Sequence, residues 1–157
     1  VDLTIHPIGP RHAGPTGGQM SVPVGMRSES KLEVFELATE LECHTLRITS
    51  NQNVFRPEYK ALTDKIVDAA LEIGLSIWTA NDIRVTNAMT LEDRQYLQNK
   101  AVVQCDRLLY LITVAARANH LRAKKVAHWS EMTRRVKTLI RKWKDSDAKR
   151  LSRGVKS

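Results

Sequence analysis

The sequence predicts an all-α chain folded as an up-down-up-down antiparallel four-helix bundle. Of the 7 Gly, 5 (Gly9, Gly14, Gly17, Gly18, Gly25) fall in the first 25 residues, together with 4 of the 5 Pro (Pro7, Pro10, Pro15, Pro23), so only Gly74, Gly154 and Pro57 punctuate the other 132 positions. Four stretches of ~22–28 residues then repeat apolar side chains at helical spacing. The breaks between them are short and polar, and connectors of ~2–8 residues make consecutive bundle helices antiparallel. The same scarcity of breakers excludes a Rossmann fold, which needs Gly-rich strand-to-helix turns, and a β-sandwich, which needs turn residues every ~8–12 positions. At 157 residues the chain reads as one domain.

Residues 1–25 are expected to form a disordered tail. The first 19 show no periodicity and the texture changes at Met20, so residues 1–19 read as appended or read-through sequence. The bundle is expected over 26–146, with a basic, frayed tail over 147–157. No apolar run approaches the ~18 residues of a membrane span, and no charged, apolar, small-residue leader is present. A cytoplasmic location is therefore expected, without membrane contact. Cys43 and Cys105 lie inside helical patterns among apolar neighbours and read as small buried side chains of a reducing compartment.

Helix one is expected from Ser28 to Thr49, capped by Ser28 or Ser30 with Glu29 and Glu33 in its first turn, where the helix dipole favours acids. Val34, Leu37, Ala38, Leu41 and Ile48 make its apolar stripe. After the polar break Ser50–Asn53, helix two starts at Pro57, since proline suits the first helical position. Leu62, Ile66, Ala69, Ile73, Ile77 and Ala80 line one face, while Val67, Leu71 and Trp78 line a second, turned away from the first. A helix apolar on two faces must be covered on both. Asn81, Asp82 and Arg84 read as its terminus. Thr90 is expected to cap helix three, with Glu92 and Asp93 behind it, and Leu97, Ala101, Leu108, Ile112 and Ala115 form its core side up to about Asn119-His120. Helix four is expected from Arg122 to about Asp145. Its Val126, Trp129, Met132, Val136, Leu139, Ile140 and Trp143 share one arc of roughly 140°.

Charge is unevenly distributed along the chain. Residues 121–157 hold 13 Lys/Arg and 3 Asp/Glu, a net of +10, while residues 1–120 hold the remaining 12 and 14, a net of −2. All the excess positive charge sits in the last quarter, which points to a polyanion or an acidic protein surface as partner. Arg122, Lys124, Lys125, Arg134, Arg135, Lys137, Arg141, Lys142 and Lys144 are the candidate binding residues. Arg122, Lys124, Lys125 and Lys137 have no acid at i±3 or i±4; Glu131 stands beside Arg134 and Arg135, and Asp145 beside Arg141 and Lys142.

No catalytic constellation emerges. There is no Gly-rich phosphate loop after a strand, no His-Glu-x-x-His and no Cys-x-x-Cys. Glu40 and His44 are spaced for one metal ion but lack two further ligands, and di-iron bundles need Glu-x-x-His on two helices. His120 and His128 are too far apart along one helix to act together. The chain is thus read as non-enzymatic, without metal or cofactor. Tyr59, Tyr96 and Tyr110 read as half-buried, which leaves no aromatic free to stack on bases.

Several segments together resemble a known family: Met20-Ser-Val-Pro23 with Arg27-Ser-Glu-Ser-Lys-Leu-Glu-Val-Phe35, Val54-Phe-Arg-Pro-Glu-Tyr59 with Lys65-Ile-Val-Asp68, Asp93-Arg-Gln-Tyr-Leu-Gln98, and Trp129 through Trp143-Lys-Asp-Ser-Asp-Ala-Lys-Arg150. Over residues 20–150 the chain resembles the Avd-like proteins, the accessory variability determinants of diversity-generating retroelements. The resemblance implies a basic bundle assembled as a closed homopentameric barrel. It implies binding to the retroelement reverse transcriptase and its template RNA or cDNA, in support of mutagenic retrohoming, with no catalysis of its own. The four-helix proteins encoded in ribosomal RNA intervening sequences share the fold and basic character. They carry the alternative: a structural helical adaptor docking an acidic protein or ribosomal RNA. The two apolar faces of helix two and the wide arc of helix four exceed what one bundle core covers. Val67, Leu71, Trp78, Trp129 and Trp143 are therefore the expected contacts of a homo-oligomer, since heterologous interfaces close into rings.

Overall fold

A computed structural model of the chain describes residues 29–154, with side chains from residue 33 onward. The tail expected over 1–25 and the Ser28 cap lie outside what it describes, and Ser30 falls inside the first helix, which begins at Glu29, rather than capping it. Four helices follow one another: α1 (Glu29–Ser50), α2 (Lys60–Asp82), α3 (Ala88–Asn119) and α4 (Ala123–Gly154). Each packs on its sequence neighbours, and α1 closes the bundle against α4. Paired side chains show that neighbours run antiparallel. Along the α3–α4 seam Asp106 meets Lys137 and Asn99 meets Lys144. Along α1–α4 Glu33 meets Arg135 and Thr45 meets Trp129.

The core follows the predicted stripes. Leu41, Ile66, Ile73, Ile77, Leu108, Ile112, Val136 and Ile140 are fully enclosed, with Trp129 and Trp143 among them. Burying a large apolar side chain is worth ~1.5–3 kcal/mol relative to exposure. Trp129 and Trp143 are 0 % and 1 % exposed, so they belong to the bundle core and are unavailable as oligomer contacts. The arc of α4 is wide because two tryptophans are needed to fill the spaces beside Phe55 and Phe35, with ring centroids 6.0 and 5.9 Å apart.

Several local readings are corrected. Pro57 opens a 3-10 turn (Pro57–Tyr59), and α2 proper begins at Lys60. The cap of α3 is Asn87 rather than Thr90: Asn87 Oδ1 accepts the Thr90 N–H at 2.9 Å, and Thr90 Oγ1 accepts the Asn87 N–H at 3.1 Å. This reciprocal pair satisfies two donors that either residue alone would leave open. His120 closes α3 in the left-handed region (φ 53°), and the Leu121 N–H reaches back to the Ala116 carbonyl. Cys43 is exposed and Cys105 buried; burial pushes the Cys105 thiol up to about 12.

The fraying expected after Ser146 does not occur over residues 147–154, where α4 continues to Gly154; residues 155–157 lie outside the described residues. Asp147 is the reason. It is enclosed at the end of the bundle, where its carboxylate accepts hydrogen bonds from Arg94 Nη1 and Gln98 Nε2, each at 3.0 Å, and from Arg150. Arg94 is itself buried, lies over the Trp143 ring and donates to the Ile83 carbonyl just past α2. One polar knot therefore joins the ends of α2, α3 and α4. Midway along α2, Gly74 leaves room for Glu42 of α1: a Cβ there would stand 1.7 Å from Glu42 Oε1.

Candidate nucleic-acid interface

Helix α4 is continuous because nothing in Ala123–Gly154 interrupts it before its last residue, and Trp129, Val136, Leu139, Ile140 and Trp143 of its apolar arc are buried, with Val126 and Met132 packed partly against the core. That fixes the opposite face toward solvent. Lys124, Arg134, Arg141, Lys142, Lys149 and Arg153 are exposed there. Among the described residues, Arg134 has one distant ion pair, with Glu131 at 3.9 Å, and the other five have none. The structure divides the remaining candidates. Arg135 is paired with Glu33 of α1 at 3.1 Å and Lys137 with Asp106 of α3. Lys137, which has no acid at i±3 or i±4, is thus neutralised from an adjacent helix, and Arg135 pairs with Glu33 rather than with the Glu131 of its own helix. Lys144 is half-buried and donates to Asn99 Oδ1 at 2.9 Å.

Arg122 and Lys125 belong to a different surface, which Lys124 joins from the start of the outer row. With His44, Arg47, Ile48, Asn51, Val54 and His128 they line a cleft of about 520 Å³ where the end of α1 meets the start of α4. His44 and His128 stack edge to face with ring centroids 5.4 Å apart. Burial, then the neighbouring His128 and Arg47, hold the His44 imidazolium below its usual range. Sequence reasoning weighed His128 only against His120 on the same segment; pairing it with His44 needed the α1–α4 register. Arg47 was missed for the same reason, being, with Lys31, one of two cations on an otherwise acidic helix.

The outer faces of α2 and α3 both carry exposed apolar side chains, unlike that of α4. Leu71, Leu75 and Trp78 are exposed on α2, with Val67 half-buried beside them. Trp78 leans edge-on to Phe35 at 6.1 Å. On α3, Met89, Tyr96, Val103 and Tyr110 are exposed at seven-residue intervals. Tyr96 and Tyr110, at 70 % and 69 %, overturn the half-buried reading of the tyrosines. Residues seven apart fall on nearly the same side of a helix, so this stripe was legible in the sequence and was passed over. The exposed Tyr59 lies under the Arg56 guanidinium at 5.6 Å.

No group of three or more His, Cys, Asp or Glu side chains converges among the described residues. No described helix is long and apolar enough to cross a membrane. No protein-family model, curated protein or solved structure matches the chain. The likeness to the Avd-like proteins rests on the segments quoted above.

Proposed function

We propose that this chain is a non-catalytic accessory protein that holds nucleic acid on the outer face of α4, serving a reverse transcriptase and its template RNA or cDNA as the Avd-like resemblance implies. One observation carries the reading: Lys124, Arg141, Lys142, Lys149 and Arg153 stand exposed along one helix without an ion pair, and Arg134 has only a distant one. Such a row meets phosphates as point charges and forks, releasing counterions with little base readout. The polymerase and the RNA's own folds would supply the sequence information. Self-assembly is part of the same proposal. Its contacts are Val67, Leu71 and Trp78, joined by Leu75 and the α3 stripe, because contiguous exposed apolar surface marks interaction sites. A pentamer is the form the resemblance implies.

The test is a salt titration of binding to structured RNA and to duplex. Log affinity is expected to fall linearly with log salt, by ~0.9 per phosphate engaged, and the variant Arg134→Glu/Arg141→Glu/Lys142→Glu to lose binding with its helicity intact. Binding that survives this variant, or is flat between low and physiological salt, overturns the reading in favour of the protein-docking adaptor. Light scattering at low concentration that returns a single 17.8 kDa chain overturns the assembly.

A further inference from the structure

Three of the nine candidate cations, Arg122, Lys124 and Lys125, join Arg47 around a cavity rather than only covering a face. Arg47 comes from α1, Arg122 from the α3–α4 link, and Lys124 and Lys125 from the first turn of α4. None of the four has an ion pair among the described residues, while Arg135 and Lys137 nearby on α4 do. Their gathering is unfavourable in the free protein. Like charges repel, and the first turn of α4 carries two lysines and no acid at the helix end that disfavours cations. Between them the cleft wall is apolar, made by Ile48 and Val54, which pack on the core. His44 also lines the cleft, and its Nε2 is enclosed with no hydrogen-bond partner in the protein. A bare inorganic anion needs neither the apolar wall nor about 520 Å³ of space. A neutral apolar ligand leaves four cations gathered for nothing. A ligand with a phosphate at one end and a flat, hydrogen-bonding ring at the other satisfies both halves, and the volume falls in the ~300–1,000 Å³ range of small-molecule sites.

We propose that this cleft is a pocket for one nucleotide, with its phosphate on Arg47, Lys124 and Lys125 and its base against Ile48 and Val54, edge-on to His44. Arg122 closes the phosphate side and the Asn51 amide stands at the rim. The nucleotide is either free or the terminal, unpaired residue of a strand, and only the second source rests on the nucleic-acid reading above. The pocket differs from the outer face of α4 in kind. The outer face engages many phosphates weakly, whereas the cleft engages one phosphate and one base.

The full chain is titrated with adenosine monophosphate, following heat and the imidazole resonances of His44 and His128. Adenosine, inorganic phosphate, and 5′-phosphorylated and unphosphorylated single-stranded RNA are titrated in parallel. Adenosine monophosphate is expected to saturate and shift both imidazoles, with adenosine and phosphate each at least about tenfold weaker, as loss of a charged hydrogen-bonding group or of the base requires. Arg47→Ala/Lys125→Ala should weaken it by about tenfold or more at unchanged helicity. Tighter binding of the 5′-phosphorylated strand than of the free nucleotide assigns the strand end as the source; equal or weaker binding assigns the free nucleotide. The charge reversal on the outer face should keep nucleotide binding while losing duplex affinity. If duplex binding proves insensitive to salt and the nucleotide still saturates, the outer-face reading falls and the pocket stands. No saturation by any nucleotide or strand, equal binding of phosphate alone, or unchanged affinity in Arg47→Ala/Lys125→Ala overturns the pocket.

Discussion

At the end of the bundle where α2 stops and α3 begins, Arg94 is buried over Trp143 and donates to Asp147 and the Ile83 carbonyl. At the opposite end, where α1 stops and α4 begins, Arg47, Arg122, Lys124 and Lys125 crowd around a cleft without an acid among them. Both ends contain a tryptophan whose ring is enclosed, and at the cleft end Trp129 Nε1 donates to Thr45 Oγ1 at 3.1 Å. The difference teaches which charges hold the fold. A cation taken out of water must be matched by hydrogen-bonded partners, and removing one partner leaves the other as an uncompensated buried charge. A cation left in water contributes little to stability, so a group of them without partners does not hold the fold together.

The largest expected effect comes from breaking the closed end. Asp147→Ala removes three hydrogen-bond acceptor contacts from Arg94, Gln98 and Arg150. It should cost about 3–5 kcal/mol, read as a fall of about 10–20 °C in Tm. A loss under about 1 kcal/mol would mean that Arg94 finds water and that the two ends are alike.

Glu42 sharpens the contrast from the middle of the bundle, as a charge half-buried between α1 and α2. Burial pushes its carboxyl up to about 7, against a hydrogen bond from the Gly74 backbone that pulls it down. The folded state therefore prefers the protonated acid. The associated stability is present below pH 4.5, declines as pH rises from there, and is fully lost above about 7. Glu42→Gln should abolish that slope and stabilise the protein at pH 8 by about 1–2 kcal/mol, a figure already discounted for partial exposure. Parallel unfolding curves of the two proteins at pH 5 and pH 8 check it.

Smaller still, Thr45→Val takes the acceptor from Trp129 Nε1 inside the cleft end and should cost about 1 kcal/mol in denaturant unfolding. Smallest, Lys124→Ala/Lys125→Ala at the cleft rim should leave Tm unchanged or raise it by about 1–2 °C, since two cations leave a helix N-terminus that disfavours them. A marked loss of stability would show that these lysines hold the fold after all.

The four helices were legible because their apolar spacing and scarce breakers leave little alternative. Where the sequence misled, the missing information was a partner on another helix. Asp147 sits in the polar run Lys144–Arg150 and reads as tail until Arg94, 53 residues earlier, is placed against it. Trp129 and Trp143 were assigned the correct face of α4, but how much of that face the bundle itself covers is a packing outcome. Lys137 reads as unpaired because its acid, Asp106, lies on another helix, and Arg135 reads as a neighbour of Glu131 although its partner is Glu33. For the candidate site, the concentration of charge in the last quarter was plain from counting. Its division into an outer row and a cleft was not, since the cleft needs Arg47, His44 and Val54 from residues that carry no local signal.

The unbroken length of α4 has a meaning in the units of nucleic acid. From Lys124 to Arg153 the helix runs ~44 Å at ~1.5 Å per residue, which matches ~13 base pairs of duplex at ~3.4 Å each. A duplex completes a turn in ~10.5 base pairs, while α4 is one unbroken helix. Laid lengthwise, the two would touch only where a sugar-phosphate strand winds round to face the rod, at two or three crossings. A single chain would then engage about three or four phosphates, whatever its total charge, with a salt slope of about −3. A slope much steeper than that would report several rods set around one nucleic acid, so the exponent of a salt titration counts protomers.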